Sequence, residues 1–336
     1  MSGHNLPSSA LMDNKEALAL LFPDLSLLAR LENLSVKAGS RIKGTMAGKR
    51  RSSSLGGSQE FADYRPYAPG DDIRRLDWNV YGRTGRAYMR QYWDEQELNI
   101  SLYVDISRSM SFGDEESNKR RYALRLAACI GYAALSGEDR ATIKLFGGGQ
   151  QMQELQPLRG RGASPQLFRF LAEAMLSDNE DSRRDRMGGV QDVNEGRAAI
   201  SMADAFQSER GRPRRAGTTW LITDAMYEQG IEETLLTLIA SGQQVVFLHL
   251  LSPEEVDPSL AGERKLIDSE LGTGKEVALG HQILSNYKKA VRDYQSELQQ
   301  LCGEIGVIYL FVNTGNSLAD TVQQTLLREG VLQSKA

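Results

Sequence analysis

Residues 98–113 read LNISLYVDISRSMSFG. Leu98 to Val104 is an apolar run of strand length, and it delivers Asp105, Ser107 and Ser109 to its carboxyl end. An Asp and two Ser at alternate positions after a buried strand offer three hard oxygens converging on one point, a set that suits Mg²⁺, Mn²⁺ or Ca²⁺. Short Asp/Ser clusters also close many strands as turn formers, so the residues alone leave both readings open.

The surrounding chain is that of a globular protein. Its 336 residues are 40% hydrophobic, enough for a substantial core, with a formal net charge of -4. No run of apolar residues is long enough to cross a membrane, and Asp13, Lys15, Glu16 and Asp24 interrupt the early region, so a cytoplasmic protein without a membrane span is expected. Cys129 and Cys302 each sit in an apolar helical pattern and read as small buried hydrophobes. The three histidines, His4, His249 and His281, are too scattered for a zinc site. The acidic total argues against nucleic acid as a partner, in spite of basic stretches at Arg41 to Arg51 and Arg210 to Arg215.

Taken in order, residues 1–39 carry Leu at helical spacing, with Pro23 separating two short helices, and predict a helical arm. Residues 40–59 hold Arg41, Lys43, Lys49, Arg50 and Arg51 among Gly and Ser, and predict a flexible basic loop. Residues 60–97 combine an Arg/Asp segment with a predicted hairpin, Val80 to Trp93, around a Gly82 to Gly85 turn. In that segment Arg65, Asp71, Asp72, Arg74, Arg75 and Asp77 read as ion pairs latching an irregular stretch, or as a docking face, since they exceed what one turn requires.

From residue 98 to about 330 strands alternate with helices, the signature of an open, mainly parallel sheet with helices on both faces. Strands are predicted at Ala141 to Phe146, Thr218 to Thr223, Gln244 to Leu251 and Val307 to Val312, and helices at Lys119 to Leu135, Ser164 to Leu176, Gly196 to Phe206, Ile231 to Ala240, Leu284 to Cys302 and Leu318 to Arg328. Arg264 to Val277 interrupts this rhythm as a small hairpin. Ligands of such sheets sit beyond the carboxyl ends of the strands, where chain order reverses, and Asp224 follows the strand TTWLIT as Asp105 follows the first one.

Asp-x-Ser-x-Ser after the first strand and LITDAM after a central one resemble the von Willebrand factor A domain, an α/β, Rossmann-like fold. The elements EFADYRPYAPGDDIRRLDWNVYGRTGRAYMRQYWDEQE, VDISRSMSFG, LIDSELG and LCGEIGVIYLFV together resemble the bacterial family catalogued as domain of unknown function 58, from about Ser26 to Leu327. The resemblance implies a metal-ion-dependent adhesion site in which Ser107 and Ser109 ligate directly, Asp105 directly or through water, and Asp224 from the outer sphere. It further implies a loop threonine, but the matching loop, Gly188 to Asp192, offers Val190 there, whose side chain cannot coordinate; Gln191 or Asp192 from a shifted loop, a water in that position, or a vestigial site are the alternatives. With Mg²⁺, Mn²⁺ or Ca²⁺ bound, an acidic residue of a partner would be the sixth ligand.

The resemblance implies a non-enzymatic interaction or scaffold module. Its expected partner is a MoxR-type AAA+ ATPase, with a client protein whose assembly or maturation it serves. In agreement with this, the chain has no nucleophile paired with a base and no phosphate loop, since Gly147 to Gly149 is not followed by Lys. The rival class is a metal-dependent phosphohydrolase using Asp105 and Asp224, for which the nearest basic residue, Arg108, points away by strand alternation.

Overall fold

The computed structural model describes residues 12–37, 45–46, 51–55, 61–95, 97–114, 116–147, 152–186, 201–208, 210–258, 262–267, 274–279 and 281–335. The chain divides into two compact units, one formed by residues 1–37 and 99–334 and the other by 38–98 with the last two residues.

The larger unit is built on six strands: β1 (Asn99–Asp105), β2 (Arg140–Phe146), β3 (Gln153–Arg159), β4 (Gly217–Thr223), β5 (Gln243–Leu251) and β6 (Ile308–Asn313). Their order across the sheet is β6-β5-β4-β1-β2-β3. All pairings are parallel except β2 with β3, which is antiparallel at the edge. After β1 the chain moves outward to β2 and β3, then crosses back to β4 on the other side of β1. Order therefore reverses between β1 and β4, the position where open sheets leave a crevice at their carboxyl ends.

Why the strands lie in the middle follows from their side chains. Every residue of β4 is buried, and β1 is buried from Ile100 onward, as expected of strands covered on both faces. Leu102, Tyr103, Trp220 and Phe247 are fully buried, and each such side chain is worth roughly 1.5–3 kcal/mol of burial. The sequence places these strands within a residue or two of their observed limits, but β3 is absent from it. QELQPLR has little apolar content and a Pro157, which central strands exclude; here it lies on an edge strand, where pairing with β2 shifts register between Ala141 and Ile143.

The helices are α1 (Asn14–Leu21), α2 (Ser26–Glu32), α3 (Lys119–Ser136), α4 (Ser164–Arg186), α5 (Met202–Gln207), α6 (Ile231–Ala240), α7 (Pro253–Val256) and α8 (His281–Ile305). The predicted N-terminal arm is part of this unit's body. Phe22 meets Phe168 edge to face at 5.3 Å, and the Arg125 Nε donates to the Leu20 carbonyl at 3.1 Å. After α2, Leu34–Val36 pairs antiparallel with Leu332–Ser334. The predicted closing helix is a short turn, Leu318–Asp320, continued as a π-helix over Thr321–Leu327. The predicted hairpin around residues 264–277 is present as Gly262–Ile267 against Gly274–Leu279. Cys129 and Cys302 are both free and buried, as their apolar surroundings predict.

In the smaller unit the order is Thr45–Met46, Arg51–Leu55, Tyr88–Glu95 and Phe61–Pro66, all antiparallel. The described parts of the predicted basic loop are thus strands. The predicted hairpin over Val80 to Trp93 is not formed. Trp78–Thr84 is a helix, because the Asp77 carboxylate accepts from the amides of Asn79 and Val80 at 2.9 and 3.1 Å and starts it. Gly85, at φ 65°, ends it in the left-handed conformation that glycine adopts without strain. Tyr88–Glu95 finds its partners in Phe61–Pro66 and Arg51–Leu55 instead.

Candidate functional site at the carboxyl end of the sheet

The carboxyl ends of β1 and β4, which pair side by side, carry a cluster of polar side chains. Asp105 ends β1 with no exposed surface, and Asp224 follows β4 in the same condition. One Asp105 oxygen accepts the Ser107 amide at 2.9 Å and the Tyr227 hydroxyl at 3.1 Å; the other accepts the Thr223 hydroxyl at 2.6 Å. The Ser107 and Ser109 hydroxyls lie 3.1 Å apart and share a hydrogen bond. Burial, then the neighbouring Asp224 charge, pushes the Asp105 carboxyl up to about 7. Gly147 closes over this group from the end of β2. At φ +89° its backbone suits glycine, and a Cβ there would stand 2.6 Å from Asp105 Oδ1 and 2.7 Å from the Tyr227 hydroxyl.

Asp224 is held differently. Its Oδ1 accepts the Met226 amide at 3.1 Å, and its Oδ2 receives the Lys119 ammonium at 2.7 Å. The same ammonium donates to Glu255 Oε1 at 2.5 Å, and it stands 5.7 Å from the Phe112 ring centroid. Glu255 is itself fixed by a capping box, its carboxylate accepting the Ser252 amide at 2.8 Å while the Ser252 hydroxyl accepts from the Glu255 amide. The residue after Asp224, Ala225, takes φ +56°, an uncommon conformation for a non-glycine residue and a common one at functional sites.

His249 on β5 braces this arrangement from beneath. A carbonyl can only accept, so the 3.1 Å contact with the Asp224 carbonyl puts the ring proton on Nε2, and Nδ1 accepts the Tyr309 hydroxyl at 2.8 Å. Burial lowers the His249 pKa to about 4, so the ring is neutral near pH 7.

The sheet thus brings together Asp105, Ser107, Ser109 and Asp224, the residues that the sequence pattern pairs. Gln191 and Asp192, with Val190, lie outside the described residues. The donor set does not fit a divalent cation well. Both Asp105 oxygens are engaged by protein donors, and Asp224 is paired with a lysine. Among the described residues no group of three or more His, Cys, Asp or Glu side chains could hold a metal ion. Lys119, Glu255, Thr223 and Tyr227 are absent from the sequence-based site. One signal for Lys119 is present in the sequence: Lys119-Arg120-Arg121 puts three cations on the first turn of α3, the pole that the helix dipole makes unfavourable for them.

The Arg/Asp segment is a second polar cluster, in the smaller unit. Arg65 and Asp71 form a two-pronged ion pair at 2.7 and 2.6 Å. Asp72 caps the turn Ile73–Arg75. Besides capping its helix, Asp77 accepts the Tyr64 hydroxyl and Arg90 Nε, each at 2.8 Å, and Arg90 holds its carboxyl well below the usual range. Arg74 is exposed, and the Arg75 side chain lies outside the described residues.

Among the described residues no helix is long and apolar enough to cross a membrane. The model of the family described as "Protein of unknown function DUF58" matches residues 63–297. Uncharacterized proteins of Mycobacterium bovis and Mycobacterium tuberculosis are 26% identical over 301 residues, covering 89% of this chain and 89% of theirs. Among solved structures, the conserved hypothetical protein BatB of Bacteroides thetaiotaomicron is 16% identical with a TM-score of 0.37, covering 69% of this chain and 96% of its own. An aerotolerance-related membrane protein of Bacteroides fragilis has the same identity and TM-score, covering 69% and 99%. At those TM-scores the likeness is too loose to carry an argument.

Proposed function

The chain belongs to the DUF58 family, and we propose that it is a non-enzymatic interaction module working as a scaffold with a MoxR-type AAA+ ATPase in the assembly or maturation of other protein complexes. The ATPase comes from the family resemblance. The observation that carries an interaction role is the helix Trp78–Thr84. Trp78 is 61% exposed and Tyr81 45%, with ring centroids 6.1 Å apart in an edge-to-face pair, and Ile73 on the preceding turn is 55% exposed. Arg74, Arg83 and Arg86 are exposed along the same stretch. Exposed Trp, Tyr and Arg in one short segment is the composition of interface hot spots, and the arginines suit an acidic partner surface.

The internal pairing of Arg65 with Asp71, and of Asp77 with Arg90 and Tyr64, supports a latch role for those residues, leaving Arg74 and the aromatic face for docking. The phosphohydrolase reading has less support. A carboxylate that activates water must reach it, and Asp105 and Asp224 have no exposed surface.

Capture of a MoxR-type ATPase by the purified protein tests this reading. Trp78→Ala with Tyr81→Ala is expected to abolish capture while leaving thermal unfolding unchanged, and Arg74→Glu to weaken it. Capture unaffected by these changes would remove the helix from the interface. Phosphate release from generic phosphoesters in Mg²⁺ or Mn²⁺, lost in Asp105→Ala, would replace the proposal with the enzyme.

A further inference from the structure

A lysine at the first position of a long helix is misplaced by the ordinary rules, since the helix N-terminus carries partial positive charge and Asp or Glu belongs there. Lys119 occupies that position in α3, and its side chain is only 1% exposed. An unpaired ammonium in such a place is strongly disfavoured, so its partners explain why it is tolerated. They come from two remote segments: Asp224 after β4 at 2.7 Å, and Glu255 on α7 at 2.5 Å. The helix start is fixed independently, by the Asn118 side chain accepting the Arg121 amide at 2.9 Å and donating to the Ser111 carbonyl at 3.0 Å. The base of the lysine side chain is therefore set by the cap, and its ammonium by Asp224 and Glu255.

We infer that Lys119 is the resident cation of the Asp105 end of the sheet: its ammonium, bridging Asp224 and Glu255, supplies the positive charge that the resemblance assigns to a divalent metal ion. A divalent ion beside Asp224 would have to displace or repel this ammonium, at a separation where like charges interact strongly in a buried setting. The Ser107 and Ser109 hydroxyls close on each other, and Asp105 is satisfied by Ser107, Thr223 and Tyr227, so neither group depends on a metal for partners. The site is then a preassembled brace joining β1, β4, α3 and α7, built in every molecule whatever the metal supply. This inference does not rest on the proposed ATPase partner.

The test compares thermal unfolding and Mn²⁺ binding, by the paramagnetic signal of free Mn²⁺, in the wild-type protein and in Lys119→Met. The wild type is expected to bind no stoichiometric Mn²⁺ and to unfold at the same temperature in EDTA, Mg²⁺ and Mn²⁺. Lys119→Met is expected to unfold at a lower temperature, and Mn²⁺ is expected to raise that temperature by neutralising the stranded carboxylates. Lys119→Met with Asp224→Asn removes the fully buried one of the two stranded charges, leaving Glu255, and is expected to recover part of the loss with a weaker response to Mn²⁺. This second variant keeps the test open where the first does not fold. One equivalent of Mn²⁺ on the wild-type protein, lost in Ser109→Ala, would overturn the inference. So would a Lys119→Met protein as stable as the wild type.

Discussion

Asp224 and Asp77 each receive a cation from a residue remote in sequence, Lys119 at 2.7 Å and Arg90 at 2.8 Å. The distances are alike and both carboxylates are buried, but the two cations differ in exposure. Lys119 retains 1% of its side-chain exposure and Arg90 retains 39%. Water reaches Arg90, and the Asp77 carboxylate, itself only 4% exposed, keeps the Tyr64 hydroxyl and the Asn79 and Val80 amides when Arg90 is lost, so that pair orients a helix start more than it stabilises. Around Lys119 no such replacement exists, and removing one charge strands the other in a low-dielectric interior. Similar contact lengths therefore describe a structural necessity in one unit and an adjustable clasp in the other.

The largest expected effect breaks the buried side. Lys119→Ala should cost about 3–5 kcal/mol, the range for an uncompensated buried charge. Urea unfolding followed by circular dichroism checks it against Arg90→Ala, whose loss should be a small fraction of that. Equal losses would dissolve the distinction between the two clusters.

Next in size is the pH response between pH 4 and 7, which belongs to the buried cluster and not to Asp77, whose lowered carboxyl titrates below that window. His249 has its folded pKa lowered by burial from 6.5 to about 4. Its neutral-ring stabilisation is present above about 6.5 and is lost as pH falls through 4, on the order of 3 kcal/mol in total. Asp105 has the opposite sign. Its folded pKa is raised to about 7, so its contribution is greatest below the unfolded carboxylate value and is lost as pH rises through 7. Over pH 4–7 the two partly cancel, and the wild-type stability should vary little on their account. His249→Gln should make the protein relatively more stable at pH 4.5 than at pH 7, and Asp105→Asn should tilt the profile the other way. Parallel unfolding curves across the pH range for all three proteins would show that neither group carries the linkage.

The sheet was legible because its central strands are buried on both faces and read as unbroken apolar runs, as TTWLIT does. The edge strand with Pro157 was not, since an edge needs neither high apolar content nor an unbroken set of amides. In the smaller unit, Tyr, Val and Trp around two glycines suggested strands and a turn. The Asp77 cap, a contact two and three residues long, selects a helix there instead. For the candidate site, Asp105, Ser107, Ser109 and Asp224 were legible because short local patterns at strand ends mark them. Lys119 and Glu255 lie 105 and 31 residues from Asp224 in the chain and meet it only through the fold; their local signals were a cation at the wrong helix pole and a capping box.

Gly147→Ala sharpens the buried side at a smaller scale. The added Cβ meets Asp105 Oδ1 and the Tyr227 hydroxyl well inside contact distance, in a backbone conformation that disfavours L side chains. A loss of about 1–3 kcal/mol is expected. A glycine in the exposed helix of the other unit, Gly82, has nothing within 4 Å of the same added atom, and Gly82→Ala should be neutral or slightly stabilising through helix propensity. Thermal midpoints of the two variants decide whether the contrast between the units extends from charge to packing.

The smallest effect belongs to Arg65→Lys. Arg65 holds Asp71 with two parallel nitrogen contacts, and the Asp71 carboxylate also accepts the Ala68 amide at 2.8 Å, which fixes the turn between Tyr67 and Asp71. A lysine keeps the charge but offers one point of contact in place of a planar fork. Because the arginine side chain is 39% exposed, water absorbs most of the loss, and global stability should stay within error of the wild type. The turn should nevertheless loosen, and faster amide exchange confined to residues 66–72 is the expected signature. A global destabilisation in Arg65→Lys would mean that the exposed clasp carries weight comparable to Lys119. Solvent screening would then not be what separates the two clusters.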